Sequence, residues 1–128
     1  MDKNQTATTI TLMSFGFKHG TPENVNVMMD VRFLQNPHWV ENLRPLSGLD
    51  EGVGNYIRQD PQFDEFLENF TNLLKPLLAR HKEKDEEPLT IAVGCTGGKH
   101  RSVFTVETLN KWLKEQNLQT HIEHRDLQ

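Results

Sequence analysis

Leu89-Thr90-Ile91-Ala92-Val93-Gly94-Cys95-Thr96-Gly97-Gly98-Lys99-His100-Arg101-Ser102 decides the reading of this chain. Residues 89–93 are apolar or β-branched and read as a buried strand. Residues 103–114 repeat apolar positions at helical spacing, so a helix leaves the turn. A glycine-rich turn between a strand and a helix start leaves backbone N–H groups without intrahelical acceptors. The helix dipole favours negative charge at the same place. Lys99, His100 and Arg101 add cationic side chains there. The expectation is an anion site, with something phosphorylated as its ligand.

Outward from that turn, residues 8–15 and 25–33 alternate in the manner of strands, and residues 120–124 form a short final one. Residues 49–59 predict a short helix with Asp50 near its start. Residues 61–80 predict the clearest helix, with Phe63, Phe66, Phe70, Leu74 and Leu78 in one apolar stripe. Asp60 serves as its cap, Pro61 opens it, and Pro76 predicts a kink. Residues 81–87 read as a charged, solvated connector. Strand, glycine-rich loop, helix and strand in succession predict an α/β class: a single layered domain with a mixed sheet, ligands binding at the carboxyl ends of the strands. Residues 1–7 are read as an N-terminal tail and residues 8–128 as the domain.

The 128 residues suit one modest core. A hydrophobic content of 35% with 25% charged residues places the chain among soluble folded proteins rather than disordered ones. No apolar run is long enough for a membrane span, and no secretory signal opens the chain. One cysteine allows no internal disulfide and suits a reducing, cytoplasmic setting. The net charge of −4 argues against nonspecific polyanion binding.

Cys95 and Arg101 satisfy the Cys-x5-Arg spacing of cysteine-dependent phosphatases, and Gly98 and Ser102 extend the match. In such enzymes a thiolate attacks phosphorus while the arginine grips the phosphoryl oxygens. Gly94 stands where those enzymes typically carry histidine, and Asp30, Asp50 and Asp60 compete for the acid's role. The competing structural reading makes Cys95 a small buried residue ending a strand. The loop is not a Walker P-loop, because the Gly-Lys-[Ser/Thr] ending is missing. His121 and His124 lie three apart on a strand and face opposite sides, so no metal pair is expected.

Four segments in order carry a resemblance that covers the chain from about residue 8 to residue 125. They are Leu12-Met13-Ser14-Phe15-Gly16-Phe17-Lys18-His19-Gly20, Asp30-Val31-Arg32-Phe33-Leu34-Gln35-Asn36-Pro37-His38-Trp39, Leu43-Arg44-Pro45-Leu46-Ser47-Gly48-Leu49-Asp50, and the run from Ile91 to Val103. Together they resemble the C-terminal domain of the RapZ/YvcJ family, in which a P-loop nucleotide-binding domain precedes this one. The resemblance implies a non-catalytic regulatory domain that senses glucosamine-6-phosphate. It also implies binding of structured small RNA and its delivery to an endoribonuclease, as in RNase adapter proteins. No cofactor is implied. Carried onto this chain, it implies Thr96, Gly97, Gly98, Lys99, His100 and Arg101 as the phosphate cradle, with Asp30, Arg32 and His38 in the same pocket. Lys18, His38, Arg101 and Arg125 are the implied RNA contacts. The chain's last residues, Glu123-His124-Arg125-Asp126-Leu127-Gln128, contain none of the lysine-rich run of enterobacterial members, which tilts the expectation from RNA toward the sugar phosphate. An RNA-binding module without a metabolite role and a cysteine phosphatase are the two alternatives.

Overall fold

The computed structural model describes residues 9–84 and 88–128; the expected tail, residues 1–7, lies outside them. Four strands form one sheet in the order β2-β3-β1-β4: β1 Ile10–Gly16, β2 Val27–Asp30, β3 Leu89–Cys95 and β4 Thr120–His124. A mixed sheet was expected, yet all three described ladders run parallel. The cause is that every strand returns to the sheet through a crossover rather than a hairpin, which brings the next strand in with the same direction.

Three helices complete the domain: α1 Glu51–Arg58, α2 Pro61–Lys84 and α3 Arg101–Glu115. They bury one face of the sheet. Ile10, Leu12, Leu89, Ile91 and Val93 meet Val53 and Ile57 of α1, Phe63, Phe70, Leu74 and Leu78 of α2, and Val106, Leu109 and Leu113 of α3. Each fully buried side chain of this size contributes roughly 1.5–3 kcal/mol over an exposed one. Asp60 caps α2 as its sequence predicts, accepting the Gln62 amide at 3.0 Å, and also holds the Gln35 amide at 2.8 Å. The helix runs through Pro76 to Lys84, so residues 81–84 of the expected connector are helical; residues 85–87 lie outside the described residues. The second strand is shorter than its alternation suggests, because the chain turns after Asp30, where the Val31 amide donates to the Gly94 carbonyl at 2.9 Å.

The connection from β1 to β2 crosses β3 in one direction, while that from β3 to β4 crosses β1 in the other. Right-handed crossovers moving in opposite directions lie on opposite faces. Residues 17–26 therefore pass on the face away from the helices, and they do so without an α-helix. Phe15 and Phe17 pack edge-on there, 4.9 Å apart, over Gly94, whose Cβ would collide with both rings. Neighbouring β1 and β3 thus send their chains to opposite faces, which opens a switch point at their carboxyl ends.

Candidate functional site

At that switch point the glycines of two loops meet. A Cβ on Gly16 would stand 2.4 Å from the Gly97 carbonyl carbon and 2.7 Å from the Gly98 nitrogen. Gly98 has φ +77°, a conformation that favours glycine, and its own Cβ would meet the Gly16 nitrogen at 2.6 Å. The turn from β3 to α3 is therefore seated directly on the end of β1. The Lys18 amide donates to the Thr96 carbonyl at 3.1 Å. The stem of exposed Lys18 runs beside Gly97, where an added Cβ would lie 3.9 Å from Cε. Among the described residues, the amides of Thr96, Gly97, Gly98, Lys99 and His100 donate to no protein acceptor.

Cys95 sits beneath this turn and is 2% exposed. Its thiol donates to Ser102 Oγ at 3.1 Å and accepts from the Ser102 amide at 3.3 Å. Phosphatase chemistry requires a thiol that its substrate can reach, and here the residue is buried beneath the first turn of α3.

Arg101 is placed differently from a phosphate fork open to solvent. It is 4% exposed, and Nη1 donates to the carbonyls of Arg32 at 2.7 Å and Leu34 at 3.0 Å. Nη2 reaches Thr96 Oγ1 at 3.3 Å, while Nε is buried without a partner among the described residues. Burial disfavours its charge and lowers its pKa from the ordinary arginine value. The side chain ties the segment after β2 to the turn after β3.

His100 is also buried, and its Nε2 has no partner among the described residues. Burial holds the imidazole pKa below its ordinary value; the carbonyls of Leu46, Leu43 and Arg44 oppose this, and the Lys99 charge adds to it. Lys99 Nζ donates to the Arg44 carbonyl at 3.1 Å, and Arg44 Nε donates to the His38 carbonyl at 2.7 Å. His38 lies edge-on to Trp39 with ring centres 5.1 Å apart, and Trp39 is 75% exposed. His38, Arg44 and Lys99 thus form a chain of contacts along one flank.

Asp30 ends β2 and is engaged by Arg32 through Nε at 3.0 Å and Nη2 at 2.7 Å, with the Arg32 amide at 2.9 Å. The Arg32 hydrogen bonds hold the Asp30 carboxyl below its ordinary pKa against a smaller opposing effect of burial. Arg32 also lies 4.0 Å above the centre of the Phe17 ring. Of the other aspartates considered, Asp60 is buried in its capping role, and Asp50 accepts the Ser47 amide at 2.8 Å, before α1.

Arg125 is engaged within the chain: Nη2 donates to the Gly20 carbonyl at 2.6 Å and to Asp126 Oδ2 at 2.8 Å. Asp126 Oδ2 in turn accepts the Gly16 amide at 2.8 Å. Asp126 escaped the sequence reading, because nothing local marks a carboxylate near the end of the chain as the partner of a strand end 110 positions earlier. His124 also belongs to the tertiary structure, linking Ser14 Oγ at 2.7 Å to Glu107 Oε2 at 2.8 Å, while His121 is exposed on the other face. Among the described residues, no group of histidine, cysteine or acidic side chains has the arrangement of a metal site, and no helix is long and apolar enough to cross a membrane.

The chain is similar to proteins called nucleotide-binding protein from Rhodospirillum centenum (49% identity over 89% of this chain and 34% of that protein). Those from Novosphingobium aromaticivorans (49%, covering 95% and 40%) and Geobacter metallireducens (45%, covering 94% and 42%) are similar too. The chain therefore spans about two fifths or less of these curated relatives. Residues 8–128 match the family described as RapZ C-terminal domain. With the parallel sheet, the glycine turn and this match over nearly its whole length, the chain belongs to the RapZ C-terminal domain family.

Proposed function

We propose that this domain is a non-catalytic regulatory module that binds a sugar phosphate, with glucosamine-6-phosphate as its ligand, at the turn formed by residues 96–100. The observation that carries the reading is the row of amides from Thr96 to His100 that, among the described residues, serve no protein acceptor, set at the N-terminus of a 15-residue helix. Such a row suits phosphate oxygens. Lys18 supplies the adjacent exposed charge. Asp30, beyond Arg32, suits a hydroxyl or ammonium at the sugar end. Arg101 and His100 support the turn from below, Arg101 by fixing Thr96 and the segment after β2.

Small RNA is the second partner in this reading. It is favoured by Lys18, Arg32 and Arg44, which are exposed, and by Trp39, whose ring is available for stacking on a base. Overlap of the two partners on one rim makes the metabolite a competitor of RNA, and a regulatory protein such as an endoribonuclease the recipient. The phosphatase alternative is disfavoured by the enclosed Cys95 thiol. The relatives' name, nucleotide-binding, concerns much longer proteins and is not carried to this loop, which lacks the Walker ending.

Calorimetric titration with glucosamine-6-phosphate tests the proposal. Binding by the wild type that weakens about tenfold (about 1.4 kcal/mol) in Lys18→Ala supports it. Absence of heat with the wild type removes the ligand, and equal affinities remove Lys18 from the site.

A further inference from the structure

We propose that Arg125 and Asp126 are positioning residues of the candidate site, forming a clasp that holds the turn after β1 against the glycine turn after β3. This inference rests on the sugar-phosphate reading only for its effect on binding. The clasp itself stands on contacts that converge from three loops. Asp126 Oδ2 accepts the Gly16 amide at 2.8 Å, and the Asp126 Cβ lies 3.0 Å from the position a Cβ on Gly98 would take. Arg125 grips the same carboxylate through Nη2 at 2.8 Å and through Nε at 3.2 Å. Its Nη2 also donates to the Gly20 carbonyl at 2.6 Å, beyond the Phe17–His19 turn. The Arg125 guanidinium lies 5.5 Å from the centre of the Phe15 ring, and its amide donates to the Ser14 carbonyl at 3.0 Å.

The consequence falls on Lys18. Its turn is held at one end by Gly16 through Asp126 and at the other by Gly20 through Arg125, while its amide meets Thr96 in the middle. The clasp keeps Lys18 beside the Gly97 backbone with no contact of its own to the ligand. A charged pair with further bonds to backbone groups is well suited to this, because each partner is geometrically restrained. Asp126 is 14% exposed and Arg125 25% exposed, so the pair is partly shielded from solvent screening.

The experiment compares wild type, Asp126→Ala, Asp126→Asn, Lys18→Ala and the Asp126→Ala/Lys18→Ala double variant. Without ligand, amide hydrogen exchange is expected to accelerate at least about tenfold at Gly16 and Lys18 in Asp126→Ala, to a smaller degree in Asp126→Asn, and not at Gly48. Titration with glucosamine-6-phosphate is expected to show about a tenfold loss of affinity in Asp126→Ala, and no further loss when that change is added to Lys18→Ala. Unchanged exchange at Gly16 and Lys18 overturns the clasp. Additive losses in the double variant overturn its action through Lys18. If the wild type gives no heat with glucosamine-6-phosphate, the sugar-phosphate reading fails by itself, and the exchange data still decide whether the clasp exists.

Discussion

Gly16 at the end of β1 and Gly97 in the turn after β3 touch backbone to backbone, at a distance that leaves no room for a methyl group on Gly16. Because the contact is between main chains, neither side can relieve a collision by changing rotamer. Gly16→Ala is therefore expected to lower stability by about 1–3 kcal/mol and to displace the Thr96–His100 amides. Gly20→Ala, a control where nothing among the described residues lies within 4 Å but φ is +93°, costs about 1–2 kcal/mol without moving that turn. Urea denaturation with amide chemical shifts of residues 96–100 separates the two.

Arg101 presents the same loop with a strut. Arg101→Ala leaves the carbonyls of Arg32 and Leu34 without their donor and opens a gap under Thr96. A loss of about 2–4 kcal/mol in unfolding free energy is expected. A stability unchanged within 0.5 kcal/mol, roughly the scatter of surface substitutions, contradicts the buried role.

Cys95 bears on the choice between binding and catalysis. The thiol is engaged by Ser102 and enclosed, so Cys95→Ala is expected to change glucosamine-6-phosphate affinity by less than about threefold, while costing about 1 kcal/mol of stability. Hydrolysis of p-nitrophenyl phosphate by the wild type, lost in this variant, would restore the phosphatase reading.

The His100 imidazole gives a pH dependence whose sign follows from its burial. Its folded-state pKa lies below the ordinary value of 6.5, so the unfolded chain takes up more protons on acidification. His100 therefore contributes stability that is present above about pH 6.5 and lost as pH falls toward its folded pKa. Thermal melts at pH 7.5 and 5.5 should show a smaller drop for His100→Asn than for wild type. An equal drop in both places the titration elsewhere.

Asp30 acts at lower pH. Its carboxyl is held below the ordinary 3.8 by Arg32, so its contribution is present above about pH 4 and disappears on further acidification. The pair is nearly half exposed, so Asp30→Asn is expected to alter stability at pH 7 by at most about 1 kcal/mol. A much larger loss would show that the pair braces the site rather than rims it.

Much of this architecture can be read along the chain, for local reasons. The strands and helices around residues 89–115 announce themselves because apolar spacing at two or about 3.6 residues is a property of neighbouring positions, and a glycine-rich turn between them is equally local. The motifs identified the family, and the turn was placed correctly at the strand ends. Strand direction was not legible, since it depends on which crossover each connection takes. Nor were the true positions of Arg101 and His100: spacing makes both members of a cationic loop, but folding the segment after β2 over them buries both and gives Arg101 to main-chain carbonyls. The same holds for Arg125 and Asp126, whose partners Gly16 and Gly20 are more than 100 positions away. Local order along the chain specifies the set of elements, the family and a glycine-rich turn at the strand ends. Only the tertiary structure decided which charges face solvent and which are spent inside, because burial and long-range hydrogen bonds exist only once the loops have met.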